Sequence, residues 1–430
     1  MAMPSFRIEG GHPLKGEVVP SGNKNAALPL MTASLMAAGE VTLRNVPQIG
    51  DVATMRQLLE SIGVEAESPD PSTLTLRPQG ARPGELDPNL CRRIRASILL
   101  AGPMLSRFGS IDLPPPGGDV IGRRRVDTHF LALEAFGAES EHTDRRFRMK
   151  SRGRLRGADI LLDEASVTAT ENAIMASVRA DGASVIRNAA SEPHVQELCL
   201  FLRALGAQIE GVGSNTLHIE GVKELHGGEY TIGPDYLEVV SFIAAGAVTG
   251  GSMRIVNAGA RYLDMVRLVF NRLGVDWTED GEDVVIESHN RIKITPDLGD
   301  FVPQITAQPW PAFPTDLVSL AIVVASQAEG SVLFHDWMYP SRMFFVDKLV
   351  SMGARIILCD PHRCIVEGPT KLIGEVLESP DIRAGMALVL AALAAKGTSI
   401  IHNIGQIDRG YESIDEKLRQ LGAKIERVPD

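Results

Sequence analysis

Apolar positions along the chain repeat one phrase six times. A helix-period run rich in leucine reaches a glycine, and a short stretch of alternating apolar and polar residues follows. The phrase reads LLESIGVEAE, LALEAFGAESE, LRALGAQIE, FNRLGVDWTE, LVSMGARIIL and LRQLGAKIE. Its glycines, Gly63, Gly137, Gly206, Gly274, Gly353 and Gly422, lie 68 to 79 residues apart. Each stands where a helix needs a left-handed C-terminal cap, and the alternation beyond it predicts a strand. A second echo runs in similar phase: GEVTLRNVP, GASVIRNAA, GSMRIVNAG, GSVLFHDWM and GTSIIHNIG. Each is a glycine, a β-branched run, and then Asn, His or Asp, which predicts a further strand.

Helix–glycine–strand joints are common in α/β proteins, but six at a near-constant period point to duplication. The repeating unit is too long for a solenoid repeat, so six units predict two domains of three. The glycine-rich segment LHGGEYTIGPD, residues 225–235, divides the chain into nearly equal halves. No low-complexity linker separates them, so the halves are expected to stay in contact, with a ligand-binding cleft between. The apolar runs 237–250 and 384–395 predict buried helices. No uncharged apolar run reaches the ~18 residues of a membrane span.

Composition narrows the function classes. The chain has 430 residues, room for two or three domains. Its 43 Lys and Arg against 54 Asp and Glu give a net charge of −11, which removes nucleic acid as a default partner but leaves room for a local basic site for a small anion. The start, MAMPSFRIEGG, lacks the basic-then-apolar run of a signal peptide. Four cysteines, Cys91, Cys199, Cys359 and Cys364, are too few for a disulfide framework and fit a reducing cytoplasm. Cys359-Asp-Pro-His362-Arg-Cys364 has no second ligand pair at metal-site spacing, so no metal is expected. HExxH, GxSxG and a strand–helix GxGxxG are absent, which weakens peptidase, hydrolase and dinucleotide chemistry.

Six segments carry polar residues that packing does not call for. Lys24 and Asn25, in PSGNKNAALP, stand at a predicted helix start, where a lysine opposes the helix dipole unless an anion binds; a solvated loop lysine is the alternative. Arg95 lies near the apolar face of its helix and needs a partner. In LPPPGGDVIGRRRVDTH, Asp119 precedes Arg123, Arg124 and Arg125 in a loop too rich in Pro and Gly to be regular, which suits an anion site or a charged surface loop. Ser166, Thr168 and Thr170 open a helix, where hydroxyls cap it or hold phosphate oxygens. Asp316 follows a proline-rich loop as a dipole partner or a fixed catalytic carboxylate. Arg342, Arg383 and Arg409 fall in turns or at helix starts, as salt-bridge partners or anion ligands. One lysine, several arginines and a few aspartates suit phosphate-bearing ligands and acid–base chemistry without a metal. These residues alone leave the reaction open.

Together, SGNKNAALP, IRASILLAGP, PGGDVIGRRRVDTH, SVTATEN, NAASEP, AFPTD and IDRGYE closely resemble the UDP-N-acetylglucosamine enolpyruvyl transferases, a branch of the enolpyruvyl transferase family. The resemblance runs in order from about residue 5 to residue 428. It implies an inside-out α/β barrel of two domains, each three copies of one α/β unit. Residues 23–234 would form the domain with the Pro/Gly loop, and residues 1–22 plus 235–430 the second, with the active site in the cleft between. It implies transfer of enolpyruvate from phosphoenolpyruvate to the 3-hydroxyl of UDP-N-acetylglucosamine, with loss of phosphate, in early peptidoglycan synthesis, with no cofactor. Enolpyruvyl transfer to another uridine nucleotide and a non-catalytic nucleotide-sugar-binding paralogue are the alternatives. Oligomeric state is left open.

Carried over by position, Lys24, Arg124 and Arg409 would bind phosphoenolpyruvate. Asn25 would contact the sugar nucleotide, and Arg95 would sit near the reacting phosphate. Arg125, Val126, Asp127, Ser166, Val167, Thr168 and Glu192 would line the uridine diphosphate pocket. Asp316 would take the proton of the 3-hydroxyl. Tyr339, Arg342 and Arg383 would complete substrate binding. Four positions depart from the family pattern. Asp119 stands where many members carry the Cys that is general acid and fosfomycin target. A free thiol, with a pKa of about 8.5, is protonated at neutral pH, whereas a free Asp, at about 3.9, is ionised. An acidic activity optimum and no covalent fosfomycin adduct are therefore expected. Thr168 replaces the usual Gly, Tyr236 replaces an Arg found in some members, and Gln406 replaces a His.

Overall fold

The computed structural model describes residues 4–118, 122, 124–143, 146–289 and 291–429. Asp119 and Arg123 lie outside the described residues. The described residues form two compact units. The first holds residues 22–118 and 124–233; the second holds residues 4–21, 122 and 234–429. Each has its own apolar core.

In the second unit the helices Tyr236–Thr249, Thr315–Gln327 and Ile382–Ala394 pack on one another and are buried on nearly every side. Their sequences are apolar all round, so no face tolerates water. Three four-stranded sheets cover them. The strand Arg363–Gly368 alternates cleanly: Cys364, Val366 and Gly368 are buried, while Arg363, Ile365 and Glu367 face outward. The first unit repeats the plan. Helices Lys24–Ala33, Ala101–Phe108 and Val167–Ser177 are largely buried, joined by the 3-10 segment Arg95–Leu100, under two four-stranded sheets and one of three strands.

The duplication is visible in the backbone. All six repeat glycines take a left-handed conformation, with φ between 85° and 102°, as the cap at each helix–strand joint requires. The polar residue that closes the second echo also has a structural reason. Asn45, Asn188, Asn257 and Asn403 have φ of 53° to 57°, a region Asn tolerates better than most residues. Three of them donate Nδ2 to a backbone carbonyl beyond a neighbouring strand: Asn45 to Ile232, Asn188 to Leu162 and Asn403 to Ser379, each at 2.9 Å. The remaining copy, GSVLFHDWM, carries Asp336 instead of Asn.

Two strands are exchanged between repeats. Lys15–Val18 pairs in parallel with Ser252–Ile255 in the second unit, although the next helix, Lys24–Ala33, belongs to the first. Gly228–Thr231 pairs in parallel with Val41–Arg44 in the first unit, although the next helix, Tyr236–Thr249, belongs to the second. The strand Pro4–Glu9 lies between Thr398–His402 and Lys424–Pro429, with Phe6 opposite Ile401 and Ile8 opposite Ile425. No helix among the described residues is long and apolar enough to cross a membrane.

Candidate active site

In the first unit, Asn23 caps the helix Lys24–Ala33 by accepting from the N–H groups of Asn25 and Ala26. Lys24 is the first helical residue and is buried. Its Nζ lies 2.7 Å from Oδ2 of Asp51, itself buried in the first turn of helix Gly50–Ser61. The lysine that the helix dipole disfavours is thus held by a counter-charge 27 positions away in the chain. Asn25 beside it is half-buried.

Arg95 turns its guanidinium onto main chain, donating Nη2 to the carbonyls of Arg124, at 3.2 Å, and Arg125, at 2.8 Å. The segment that follows the Pro/Gly loop is therefore pinned from below. A second clamp is Asp163. It accepts from Thr128 Oγ1 at 2.6 Å and from Arg125 Nη2 at 3.0 Å, and these bonds hold its carboxyl below the usual range. Arg125 also reaches Asp127 at 3.2 Å, and the two carboxylates raise its pKa further. Arg124 and Val126 are half-buried, and Val126 packs on the apolar core.

Ser166 caps the helix Val167–Ser177 by accepting from Ala169 N–H. Val167 and Thr168 follow it, half-buried. The Thr168 hydroxyl lies 3.1 Å from His129 Nε2. Burial, with the charge of Arg95, pushes the His129 imidazole down to about 3, so it is neutral. Three residues on, Glu171 is fully buried; burial and the neighbouring Glu192 push its carboxyl well above the usual range. Glu192 is the N-cap residue of helix Pro193–Ala204.

The second unit gathers a separate cluster. Asp316 sits in the first turn of helix Thr315–Gln327, after the proline-rich loop. Its Oδ1 accepts from Arg342 Nη2 at 2.8 Å, and its Oδ2 lies 3.4 Å from Arg383 Nε. Asp381 caps the helix Ile382–Ala394, accepting from the N–H groups of Arg383 and Ala384, and faces Arg342 at 3.8 Å. Both arginines are almost wholly buried. Burial opposes their charge, but Asp316 and the other acidic neighbours outweigh it, and both pKa values rise. Arg342 Nε and Arg383 Nη1 are buried donors with no hydrogen bond among the described residues. Buried donors of this kind cost stability unless an acceptor arrives, so these two can serve an incoming acceptor. Tyr339 stacks its ring 5.3 Å from the Arg342 guanidinium carbon. Arg409 donates Nη1 to Gln406 Oε1 at 3.0 Å, so the substituted Gln406 is its direct partner. Tyr236 is buried, its ring edge-on to Trp310 at 5.9 Å.

A profile of the family described as EPSP synthase (3-phosphoshikimate 1-carboxyvinyltransferase) matches residues 8–418. The UDP-N-acetylglucosamine 1-carboxyvinyltransferase of Bradyrhizobium diazoefficiens is 55% identical over 431 residues, covering 100% of this chain and 99% of the relative. The chain belongs to the enolpyruvyl transferase family. The relative of the same name from Treponema denticola is 51% identical over 424 residues, 99% of each chain. Among solved enolpyruvyl transferase structures, NikO from Streptomyces tendae matches with a TM-score of 0.88 at 25% identity, over 100% of both chains. EPSP synthase from Acinetobacter baumannii shares the fold, with a TM-score of 0.77 at 20% identity over 99% of this chain and 100% of its own. The inside-out α/β architecture is therefore the enolpyruvyl transferase fold.

Sequence reading missed the partners rather than the principals. Asp51 and Asp381 carry no local signal, because an aspartate in a first helical turn or at a cap explains itself. His129 and Asn172 were read only as letters within motifs. Asp336 alone had a cue: it breaks the repeated asparagine. It is fully buried, accepts from Thr315 Oγ1 and Met338 N–H, and burial raises its pKa. Among the described residues no cluster of His, Cys, Asp and Glu is placed to hold a metal ion.

Proposed function

We propose that this protein transfers the enolpyruvyl group of phosphoenolpyruvate to the 3-hydroxyl of UDP-N-acetylglucosamine and releases phosphate, the first committed step of peptidoglycan synthesis. Full-length identity of 55% to a UDP-N-acetylglucosamine 1-carboxyvinyltransferase carries this reading. The alternative acceptor, another uridine nucleotide, has less support, because the full-length relatives at 55% and 51% identity are both named for UDP-N-acetylglucosamine.

The residue roles follow the chemistry. The 3-hydroxyl oxygen bonds to C2 of the enol while Asp316 accepts its proton. Asp119, as the acid, delivers a proton to the methylene carbon, giving a tetrahedral adduct. Loss of a methyl proton and of phosphate then restores the double bond. Lys24, Arg124 and Arg409 hold phosphoenolpyruvate, with Arg342, Arg383 and Tyr339 completing its cage. Arg95 supports the reacting phosphate by fixing the main chain of Arg124 and Arg125. Asn25 contacts the sugar, while Arg125, Val126, Asp127, Ser166, Val167, Thr168 and Glu192 hold the uridine diphosphate. The pairing of Asp316 with two arginines supports its role: the two cations fix its side chain until substrate anions share them. Residues 23–234 act as the nucleotide-handling domain, and residues 1–22 with 235–430 carry the base. No metal or cofactor takes part. The enzyme works in the cytoplasm, supports cell shape and division, and is insensitive to fosfomycin, since no cysteine occupies position 119.

Phosphate release from phosphoenolpyruvate tests the proposal. Release should require UDP-N-acetylglucosamine, persist with fosfomycin, and be faster at pH 6 than at pH 8. Release with uridine monophosphate but not with UDP-N-acetylglucosamine would overturn the acceptor assignment.

A further inference from the structure

The hydrogen-bond chain behind Thr168 has one self-consistent proton assignment. Gly102 offers a main-chain N–H, and Asn172 Oδ1 accepts it at 2.7 Å. The approach depends on the glycine, since a Cβ there would lie 2.6 Å from the Asn172 carbonyl oxygen. The amide is thus locked, with Nδ2 facing two acceptors: the Ile98 carbonyl at 3.0 Å and His129 Nδ1 at 2.9 Å. The reverse amide orientation would set N–H against N–H at Gly102 and oxygen against oxygen at Ile98. His129 Nδ1 must therefore accept, and its single proton sits on Nε2. Among the described residues Nε2 faces only the Thr168 hydroxyl oxygen, so it donates there. A protonated imidazole would break the chain at Asn172, and burial and Arg95 keep His129 neutral.

The hydroxyl of Thr168 therefore spends a lone pair inward and keeps its proton. It makes no other hydrogen bond among the described residues. It stands in the first turn of helix Val167–Ser177, where the early N–H groups also favour an anion.

We infer that Asn172 and His129 are positioning residues that fix the Thr168 hydroxyl as a hydrogen-bond donor to a phosphate oxygen of the nucleotide. The inference rests on the reading above that this helix start holds the uridine diphosphate. It assigns a purpose to the position where the family usually carries glycine: a main-chain anion site gains a side-chain donor that cannot turn into an acceptor.

Calorimetric titration of the full chain with UDP tests this, with Thr168→Ser, Thr168→Val and His129→Gln. Serine keeps the donor and should bind UDP within about twofold of wild type; valine keeps the shape but not the proton and should bind roughly tenfold more weakly. Gln at 129 offers the same acceptor–donor pair and should rescue binding to within about threefold. Nitrogen-15 spectra of labelled protein should show His129 protonated at Nε2 and bare at Nδ1. Equal UDP affinity in the valine and serine variants, or a proton on Nδ1, would overturn the inference while leaving the proposed function intact. Failure of wild type to bind UDP at all would overturn both.

Discussion

Removing Asp51 should destabilise the first unit severely, and binding of an anion should repair part of the damage. Lys24 Nζ and Asp51 Oδ2 are 2.7 Å apart, with side chains only 9% and 7% exposed. At an effective dielectric near 20 that separation corresponds to about 6 kcal/mol of attraction, most of it offset in the intact protein by desolvation of both groups. Deleting one partner leaves the desolvation of the other unopposed, so Asp51→Ala should cost about 3–5 kcal/mol. At about 2–4 °C per kcal/mol, the thermal midpoint should fall by roughly 10 °C. The double variant Lys24→Met with Asp51→Leu should recover most of that loss, since a hydrophobic pair of similar volume carries no buried charge. Inorganic phosphate should raise the midpoint of Asp51→Ala more than that of wild type, because the ligand then supplies the missing negative charge beside Lys24. Calorimetric scans of the three proteins, with and without phosphate, decide the matter. A single variant within 1 °C of wild type, or a double variant less stable than the single, would refute the claim that the buried charge is what Asp51 neutralises.

Asp316→Asn should lower the thermal midpoint, since it removes a counter-charge from the buried Arg342 and Arg383, and at a temperature where the variant is folded it should cut the rate of phosphate release by about a hundredfold or more, as loss of a general base does; a loss below threefold would remove Asp316 from the proton transfer. Two buried titrations oppose each other in the pH dependence of stability. His129 has a folded pKa of about 3 against an ordinary 6.5, so stability is complete above 6.5 and lost as pH falls toward 3. Between pH 7 and pH 5 this amounts to about 2 kcal/mol, and denaturant unfolding of His129→Gln should show a slope flatter by that much. Glu171 is raised, so its burial costs stability as pH rises above the ordinary 4.5; Glu171→Gln should be more stable than wild type at pH 8 and equal to it near pH 4. Fosfomycin should leave the intact mass unchanged. Burial pushes the Cys91 thiol up to about 11 and the Cys199 and Cys364 thiols to about 12, which leaves them no thiolate at neutral pH. Asp119→Cys should gain one adduct.

The repeat was legible because its signals are local. A left-handed glycine after a leucine-rich helix end, and a polar residue closing a β-branched strand, each reflect backbone geometry within a few positions. The strand exchange had no local cue: Lys15–Val18 reads as an ordinary first strand, and its pairing with Ser252–Ile255 comes from packing far along the chain. The same division holds for the candidate site. Lys24, Arg95 and Asp316 stood out because charge in an apolar setting is conspicuous. The carboxylates behind the site did not, since Asp51 looks like a helix-start aspartate until the buried Lys24 is found against it, and Asp381 looks like a helix cap until the buried Arg342 is. Arg95, near an apolar face, called for a partner, and the structure gives it the main-chain carbonyls of Arg124 and Arg125, which no sequence signal marks. Thr168 was legible as a helix-start hydroxyl and as a departure, but its partner His129 acquires meaning from Asn172 and Gly102, which no spacing rule connects.

The exchanged strands also set a timetable for synthesis. Every strand of the first unit is made by about residue 231, so that unit can close while the rest of the chain is still emerging. The opening segments cannot. Lys15–Val18 waits for Ser252–Ile255, and Pro4–Glu9, with Phe6 and Ile8 destined for the core, waits for residues near 400 and 425. For most of translation an apolar strand with two unpaired edges trails from a finished neighbour. The sixth repeat to be made is the one that shelters the strand that precedes the first.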